Sequence, residues 1–277
     1  MSFFTVSDLS AGYGGRSVIE KLSFHLEEGC VLGILGANGS GKTTLLKAIC
    51  GILPHGGSCA LEGIPLDGLS PRKLARLCGY IPQRSGISID ISVLDVVLMG
   101  FNPQLGLLEA PSPKMKQDAL RALELTGLAG MAGKNYLHLS EGQKQLCILA
   151  RTLASGSRLL LLDEPESSLD FRYRYRMLEL LRDWTAKGRR TVLTSLHDPS
   201  LALNYCDRLL LLTGPDTCRL LLPGSDPLEK MEKELSLIYG SISLHRCRER
   251  NGAERLVMLK EKEEEINAGR DENHICG

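Results

Sequence analysis

The stretch Gly36-Ala37-Asn38-Gly39-Ser40-Gly41-Lys42-Thr43 fits the pattern G-x-x-x-x-G-K-[ST] of a phosphate-binding loop. An apolar, strand-like run precedes it over 30–35, and a helix-like run follows it over 44–50. A strand, a glycine-rich loop and a helix in this order form the setting in which the pattern makes a site. The sequence therefore predicts an α/β fold organised around bound phosphate.

Each residue type in this loop has a physical reason to be there. Glycines let successive backbone N–H groups converge on one anion, and the following helix adds its positive N-terminal end. Lys42 supplies a mobile charge for the β- and γ-phosphates, and Thr43 supplies a hydroxyl for Mg²⁺. We predict nucleotide binding by Gly36, Asn38, Gly39, Ser40, Gly41, Lys42, Thr43 and Thr44.

Composition excludes several classes of protein. The chain has 277 residues with 33 Lys+Arg and 33 Asp+Glu, so its net charge is zero, and no dense basic run indicates a nucleic-acid surface. Apolar runs of transmembrane length and a signal peptide are both absent from the sequence, so we expect a cytosolic chain. The nine cysteines show no C-x-x-C spacing, which favours buried free thiols over disulfides or a cysteine metal site.

The order of strand-like and helix-like segments predicts a mostly parallel sheet. The predicted strands cover 3–9, 18–26, 30–35, 58–61, 79–82, 158–163, 191–195, 208–212, 218–222, 242–247 and 255–259, with a flexible loop over 11–15. Helices are predicted over 44–50, from 71, over 114–126, 141–154, 172–186 and 227–239. Apolar helices over about 84–157 predict an inserted helical subdomain, which forms only a core or also offers a docking face for another protein.

Further motifs follow the phosphate loop in a fixed order. Gln83 comes after a predicted strand, Leu139-Ser140-Glu141-Gly142-Gln143 opens a long helix, and an apolar strand ends at Asp163-Glu164. Ser167-Ser168-Leu169-Asp170 and then His197 complete the set. Over residues 3 to about 259 this arrangement resembles the ATP-binding subunit of an ABC transporter. The resemblance implies a P-loop cassette with a mostly parallel core sheet, an antiparallel β subdomain and the helical insertion. One such domain is expected over 1–259, followed by a charged, loose tail over 260–277.

The resemblance also implies roles for single residues, with ATP and Mg²⁺ as the cofactors. The catalytic set is Glu164 as general base, His197 at the γ-phosphate, Gln83 as sensor of Mg²⁺ and water, and Lys42. The metal set is Thr43, Gln83 and Asp163, and Tyr13 matches the aromatic residue that stacks on adenine. A carboxylate beside the attacking water can orient that water and accept its proton.

The segment 139–143 implies a partner. In the family it resembles, Ser140, Gly142 and Gln143 meet the γ-phosphate held by a second copy of the chain, and Asp170 lies in a loop that crosses the dimer interface. The resemblance further implies permease subunits at the cytoplasmic face of the membrane and, indirectly, an external substrate-binding protein. No nucleic-acid partner is expected.

Three residues depart from the family pattern. Glu141 stands where glycine is usual, Leu146 replaces a commonly basic position, and Glu166 stands where threonine is common. A carboxylate near a triphosphate repels it, so we expect the Glu141 side chain to turn away.

The segments 79–83, 92–100 and 234–240 resemble the importer branch that serves ferric siderophores, haem and cobalamin. An ATPase of another importer, for metal or amino acids, and an exporter ATPase stay open as alternatives. A soluble ABC protein acting on ribosomes or DNA predicts tandem cassettes, a long coiled coil or a basic face, and the sequence displays none. A regulatory module that binds nucleotide without hydrolysis is the reading that Glu141 leaves open.

Overall fold

A computed structural model describes residues 2–83, 86–250 and 252–262. In chain order the strands are β1 (Phe4–Tyr13), β2 (Arg16–Leu26), β3 (Val31–Gly36), β4 (His55–Leu61), β5 (Ile64–Pro65), β6 (Cys78–Ile81), β7 (Leu159–Asp163), β8 (Thr191–Ser195), β9 (Arg208–Leu212), β10 (Cys218–Leu221), β11 (Ile242–Arg248) and β12 (Glu254–Lys260). The α-helices are α1 (Lys42–Ile49), α2 (Pro71–Leu77), α3 (Val93–Leu98), α4 (Pro113–Thr126), α5 (Glu141–Ala154), α6 (Phe171–Ala186), α7 (Pro199–Tyr205) and α8 (Leu228–Tyr239).

The central sheet confirms the predicted α/β class. Within the described residues it has six strands in the order β10-β9-β3-β8-β7-β6, and β10 is its one antiparallel member. A four-stranded antiparallel sheet, β2-β1-β4-β5, and the β11–β12 hairpin complete the described strands. Because β3, β6, β7 and β8 are parallel, their carboxyl ends meet at one edge, where α/β sheets place their ligands.

The central sheet is buried on both faces, which explains its continuous apolar strands. In β7, Leu159 and Leu161 belong to the core between the two sheets, while Leu160 and Leu162 belong to the core on the opposite face. All four side chains are fully buried. In β7 the one polar residue is at the strand end, where Asp163 closes the strand at the ligand edge.

Helices α3, α4 and α5 pack together and form the predicted helical layer. Ser112 caps α4 by accepting a hydrogen bond from the Met115 N–H, and Gly127 ends that helix in the left-handed conformation. Tyr136, fully buried, lies in the same core cluster as these helices. The predicted insertion begins at residue 84, which lies outside the described residues.

The predicted flexible loop over 11–15 was wrong in its first half. Strand β1 continues through Tyr13, and Gly12 pairs with Ser17 of β2. A Cβ on Gly12 would lie 2.0 Å from the carbonyl oxygen of Arg16, so only glycine lets the two strands approach this closely. Pairing satisfies the backbone groups that the prediction left to a loop.

Helix α7 was also missing from the prediction. Asp198 caps α7 by accepting from the N–H groups of Ser200 and Leu201, and Pro199 occupies the first helical turn. Lys260 is the last residue of β12, and 263–277 lie outside the described residues. Within the described ranges, no helix combines the length and apolarity that a membrane span requires.

Candidate functional site

The phosphate loop joins β3 to α1 with the backbone that its glycines allow. Gly39 and Gly41 have φ values of 81° and 101°, in the region that favours glycine. A Cβ on Gly41 would lie 2.7 Å from Cδ1 of Ile19, so the loop is held closely against β2. Helix α1 starts at Lys42, and its first N–H groups therefore face the loop.

Lys42 is buried, and both recorded partners of its Nζ are carbonyl oxygens of the loop itself. Nζ donates to Gly36 O at 2.8 Å and to Ala37 O at 3.2 Å. Ser40 Oγ is buried and finds no hydrogen-bond partner within the described part of the chain. Among the described residues, this buried cation is held by carbonyls alone beside a hydroxyl without a partner, which fits an anionic ligand such as phosphate.

A cavity of about 620 Å³ lies next to this loop. Tyr13, half exposed, stands on one wall with Arg16, while Gly214, Pro215, Leu237 and Ile238 contribute another. The Glu20 N–H donates to Pro215 O at 2.7 Å and fastens the β1–β2 hairpin to that second wall. Sequence reasoning found Tyr13 but missed the second wall, because its residues come from more than two hundred positions later in the chain.

Asp163 receives hydroxyl donors from three other elements. Thr43 Oγ1 and Ser195 Oγ each donate to its Oδ1 at 3.0 Å, and the Tyr80 hydroxyl donates to Oδ2 at 3.4 Å. Burial, followed by the Asp163 charge, raises the pKa of Tyr80, so its phenol stays a proton donor. Tyr80 and Ser195 were not predicted as site residues, and no local motif marks either of them.

Glu164 lies between two of the other predicted catalytic residues, Gln83 and His197. Its Oε2 accepts from Gln83 Nε2 at 2.6 Å and lies 2.8 Å from His197 Nε2. Its backbone has φ 49°, an uncommon value for glutamate, and its N–H is held by Ser195 Oγ at 2.9 Å. The structure thus brings together Gln83, Glu164 and His197, which follow β6, β7 and β8.

Glu166 contacts His197, and in the sequence it was noted only as a departure from the family pattern. The side chain is 2% exposed, and its Oε1 accepts from the His197 N–H at 2.8 Å. Burial raises the pKa of this carboxyl, the hydrogen bonds from the backbone N–H groups of His197 and Glu166 lower it, and the His197 charge lowers it further.

The segment 139–143 forms a helix start away from the cavity. Ser140 Oγ accepts from the Gln143 N–H at 3.3 Å, and Gln143 Oε1 accepts from the Ser140 N–H at 3.1 Å, a complete capping box. Gly142 packs closely against the loop after β7, since its Cβ would lie 3.2 Å from Ser168 O. Asp170 caps α6 by accepting from the Tyr173 N–H. The residues that line the cavity beside the phosphate loop do not include any of these.

The Glu141 side chain points to solvent, as expected from charge repulsion. Its Oε1 accepts from Lys144 Nζ at 2.8 Å, and 75% of the side chain is exposed. Leu146, the other departure on this helix, is buried in the core with α3 and α4.

The donor set suits Mg²⁺ bound together with phosphate. The described residues contain no cluster of three or more His, Cys, Asp or Glu that could hold a metal. Mg²⁺ usually takes one or two protein oxygens and completes its shell with phosphate and water. Thr43 and Asp163 offer hard oxygens 3.0 Å apart, which fits that mode.

Comparison with known proteins decides the family. The family model described as "ABC transporter" matches residues 19–167. This chain belongs to the ABC transporter family. It is an ABC transporter ATPase, the subunit that binds and hydrolyses ATP.

Named relatives place this ABC transporter ATPase among similar subunits. It is 35% identical over 236 residues to a Helicobacter pylori protein named "Probable iron chelatin transport ATP-binding protein", covering 84% of this chain and 91% of that one. It is 42% identical over 212 residues to a hemin import ATP-binding protein of Deinococcus radiodurans, covering 75% and 79%. A solved inward-facing structure of a metal-chelate type ABC transporter matches with TM-score 0.79 and 27% identity, covering 94% of this chain and 98% of that chain.

Proposed function

We propose that Glu164 is the general base of this ATPase and that ATP hydrolysis at its site drives uptake of an iron chelate, haem or cobalamin. The observation that carries the proposal is the position of the Glu164 carboxylate between Gln83 and His197, at the edge where Asp163 and Thr43 also meet. Phosphoryl transfer gains most from positioning and charge neutralisation, and this edge supplies both.

The residues divide the work by their chemistry. Lys42 and the loop N–H groups bind the β- and γ-phosphates, and Tyr13 stacks on adenine in the cavity that Pro215 closes. Thr43 and Asp163, with Gln83, hold Mg²⁺, which when bound neutralises phosphate charge. The Thr43 proton already points to Asp163, so the oxygen lone pairs are left for the metal.

Glu164 accepts the proton of the attacking water, and His197 contacts the γ-phosphate. The Gln83 hydrogen bond and the His197 contact on Oε2 orient the carboxylate before ATP arrives. A base oriented in advance loses little entropy when the reaction begins. The left-handed backbone at Glu164, fixed by Ser195, maintains this orientation.

Each site is completed by a second copy of the chain. Ser140, Gly142 and Gln143 open α5, where N–H groups and the helix dipole favour an anion, yet they lie apart from the cavity of their own chain. A second copy brings them to the γ-phosphate, so ATP joins two subunits and hydrolysis releases them.

The ATPase docks on permease subunits at the cytoplasmic face of the membrane, and an external binding protein delivers the cargo. The relatives named for iron chelatin and hemin transport favour an iron chelate or haem. Cobalamin stays within the branch that the sequence predicts.

Cargo uptake tests the proposal directly. Cells that carry the chain with its permease are given labelled ferric siderophore, haem and cobalamin in parallel, and wild type is compared with Glu164→Gln. We expect uptake of one cargo to be lost in the variant. Normal uptake of all three cargoes by the variant would rule out the assignment to this importer branch.

A further inference from the structure

The buried carboxyl of Glu166 has no place in the roles assigned above. One of its oxygens accepts the His197 N–H at 2.8 Å. The other, Oε2, is buried and has no hydrogen-bond partner in the described ranges 2–83, 86–250 and 252–262. Only 2% of the side chain is exposed, so solvent does not compensate for the missing partner.

Such a group is expensive for a folded protein. A buried oxygen without a partner loses its hydration, and a buried charge loses more. A smaller side chain at this position would avoid both costs. The Glu166 side chain reaches across to the segment after β8 and accepts the His197 N–H there.

Glu164 and Glu166 lie in the same loop after β7, and backbone hydrogen bonds within the loop hold its shape. The Ser167 N–H donates to Glu164 O at 3.2 Å, and the Leu169 N–H donates to Glu166 O at 3.0 Å. His197 therefore contacts this loop twice, through its backbone N–H at Glu166 and through its ring Nε2 at Glu164. Two contacts to one tied loop define both the position of the residue and the direction of its ring.

We propose that Glu166 is a positioning residue for ATP hydrolysis, which sets the His197 ring against the Glu164 carboxylate by holding the His197 backbone N–H. Glu166 does not touch the nucleotide. This inference rests on the roles proposed for Glu164 and His197. It adds a residue whose effect should appear mainly in kcat and little in KM for ATP, because most of the proposed nucleotide contacts come from the phosphate loop and Tyr13 and none comes from Glu166.

The test compares Glu166→Ala with Glu166→Gln in the full-length ATPase. Glutamine keeps a carbonyl oxygen for the His197 N–H, whereas alanine removes the acceptor. We expect Glu166→Ala to lower kcat roughly tenfold to a hundredfold with KM for ATP within about twofold, since small displacements at a reacting group have effects of this size. Glu166→Gln should restore most of that loss.

Glu62→Gln is the matched control. Glu62 is also a buried carboxylate, with 8% of its side chain exposed, but it pairs with Arg158 and Arg189 beside β4. This variant should lower the melting temperature and leave kcat unchanged. A Glu166→Ala protein with reduced melting temperature and wild-type kcat would show a structural role only and would overturn the inference.

A cycle with His197→Ala separates the inference from the proposed function. If Glu166 acts through His197, Glu166→Ala should produce no further fall in single-turnover rate once His197 is alanine. If Glu166→Ala lowered the rate of the His197→Ala protein by the same factor as it lowers the wild-type rate, the inference would be overturned and the role of His197 would be left intact. Wild-type turnover by His197→Ala alone would instead overturn the proposed role of His197 and the inference with it.

Discussion

At the scale of single residues, the phosphate loop contains polar side chains that have no anionic partner in the protein alone. Lys42 is buried against carbonyl oxygens, and Ser40 Oγ has no partner within the described part of the chain. Under the proposed function, both deficits end when phosphate enters the loop. Binding energy from the nucleotide therefore repays a cost that the folded protein already carries.

Lys42→Ala should weaken ATP binding roughly tenfold to a hundredfold, because a charge-assisted hydrogen bond in a fixed site is lost. Lys47→Ala is the control, since Lys47 lies in the last turn of the same helix and is not among the residues that line the cavity. Isothermal titration calorimetry measures both variants. Wild-type affinity in Lys42→Ala would contradict the assignment of this loop as the phosphate site.

The carboxyl of Glu166 predicts a pH effect on stability. Burial raises its pKa above the ordinary value of 4.5, although the His197 charge opposes this and the Glu164 charge adds to it; the Cys206 thiol also interacts with it. The folded state then holds a proton that the unfolded chain has lost, so this contribution to stability is present below pH 4.5 and is lost as pH rises through the folded pKa.

Glutamine at this position does not titrate. The melting temperature of Glu166→Gln relative to wild type should therefore rise as pH increases above 4.5. Thermal unfolding at a series of pH values measures the difference. A difference that stays constant with pH, or shrinks, would show that the folded pKa of Glu166 is not raised.

At the scale of elements, the start of helix α5 has a structural role in its own chain and a proposed role in the site of a second copy. Ser140 caps the helix within its own chain, and the same helix start is proposed to meet the phosphate of a second copy. Gly142 packs on the backbone of Ser168, so the start of α5 and the loop after β7 form one unit. We therefore expect stability and the proposed dimerisation to depend on the same few residues.

Ser140→Ala should cost about 1 kcal/mol of unfolding free energy, the usual value of an N-cap. Ser112→Ala, which removes the corresponding cap of α4, should cost a similar amount. Only Ser140→Ala is expected to reduce dimer formation with ATP. Chemical denaturation and size-exclusion chromatography with ATP measure the two effects, and equal dimerisation in both variants would argue against a role for Ser140 in the second site.

At the scale of the whole molecule, the sequence predicted the elements that burial dictates. Strand β7 lies where its continuous apolar run predicts it, because a central strand covered on both faces is largely apolar, and helix α5 begins after Ser140 as predicted. Helix α7 escaped prediction because it spans only seven residues, although Asp198 followed by Pro199 is a helix-start signal. Strand β1 escaped in part because pairing with β2, a tertiary effect, overrides the loop character of Gly12.

The candidate site likewise contains some residues that the sequence predicted and others that it did not. Residues in local motifs, such as Lys42 and Glu164, were predicted from the sequence, and the structure places them at one edge of the sheet. Tyr80, Pro215 and the contact made by Glu166 were not predictable, because each depends on how distant segments pack. A hydrogen bond between a side chain and the backbone of a residue 31 positions away leaves no pattern in the sequence.

ATP turnover of Glu164→Gln, measured together with its oligomeric state in ATP and Mg²⁺, tests the central claim most directly. The amide keeps the shape of the side chain but does not accept the proton of the attacking water. We expect ATP binding to persist, turnover to fall at least about a hundredfold, as for the loss of a general base, and an ATP-bound dimer to accumulate on size-exclusion chromatography. Turnover at the wild-type rate would contradict the assignment of Glu164 as the base and the mechanism built on it.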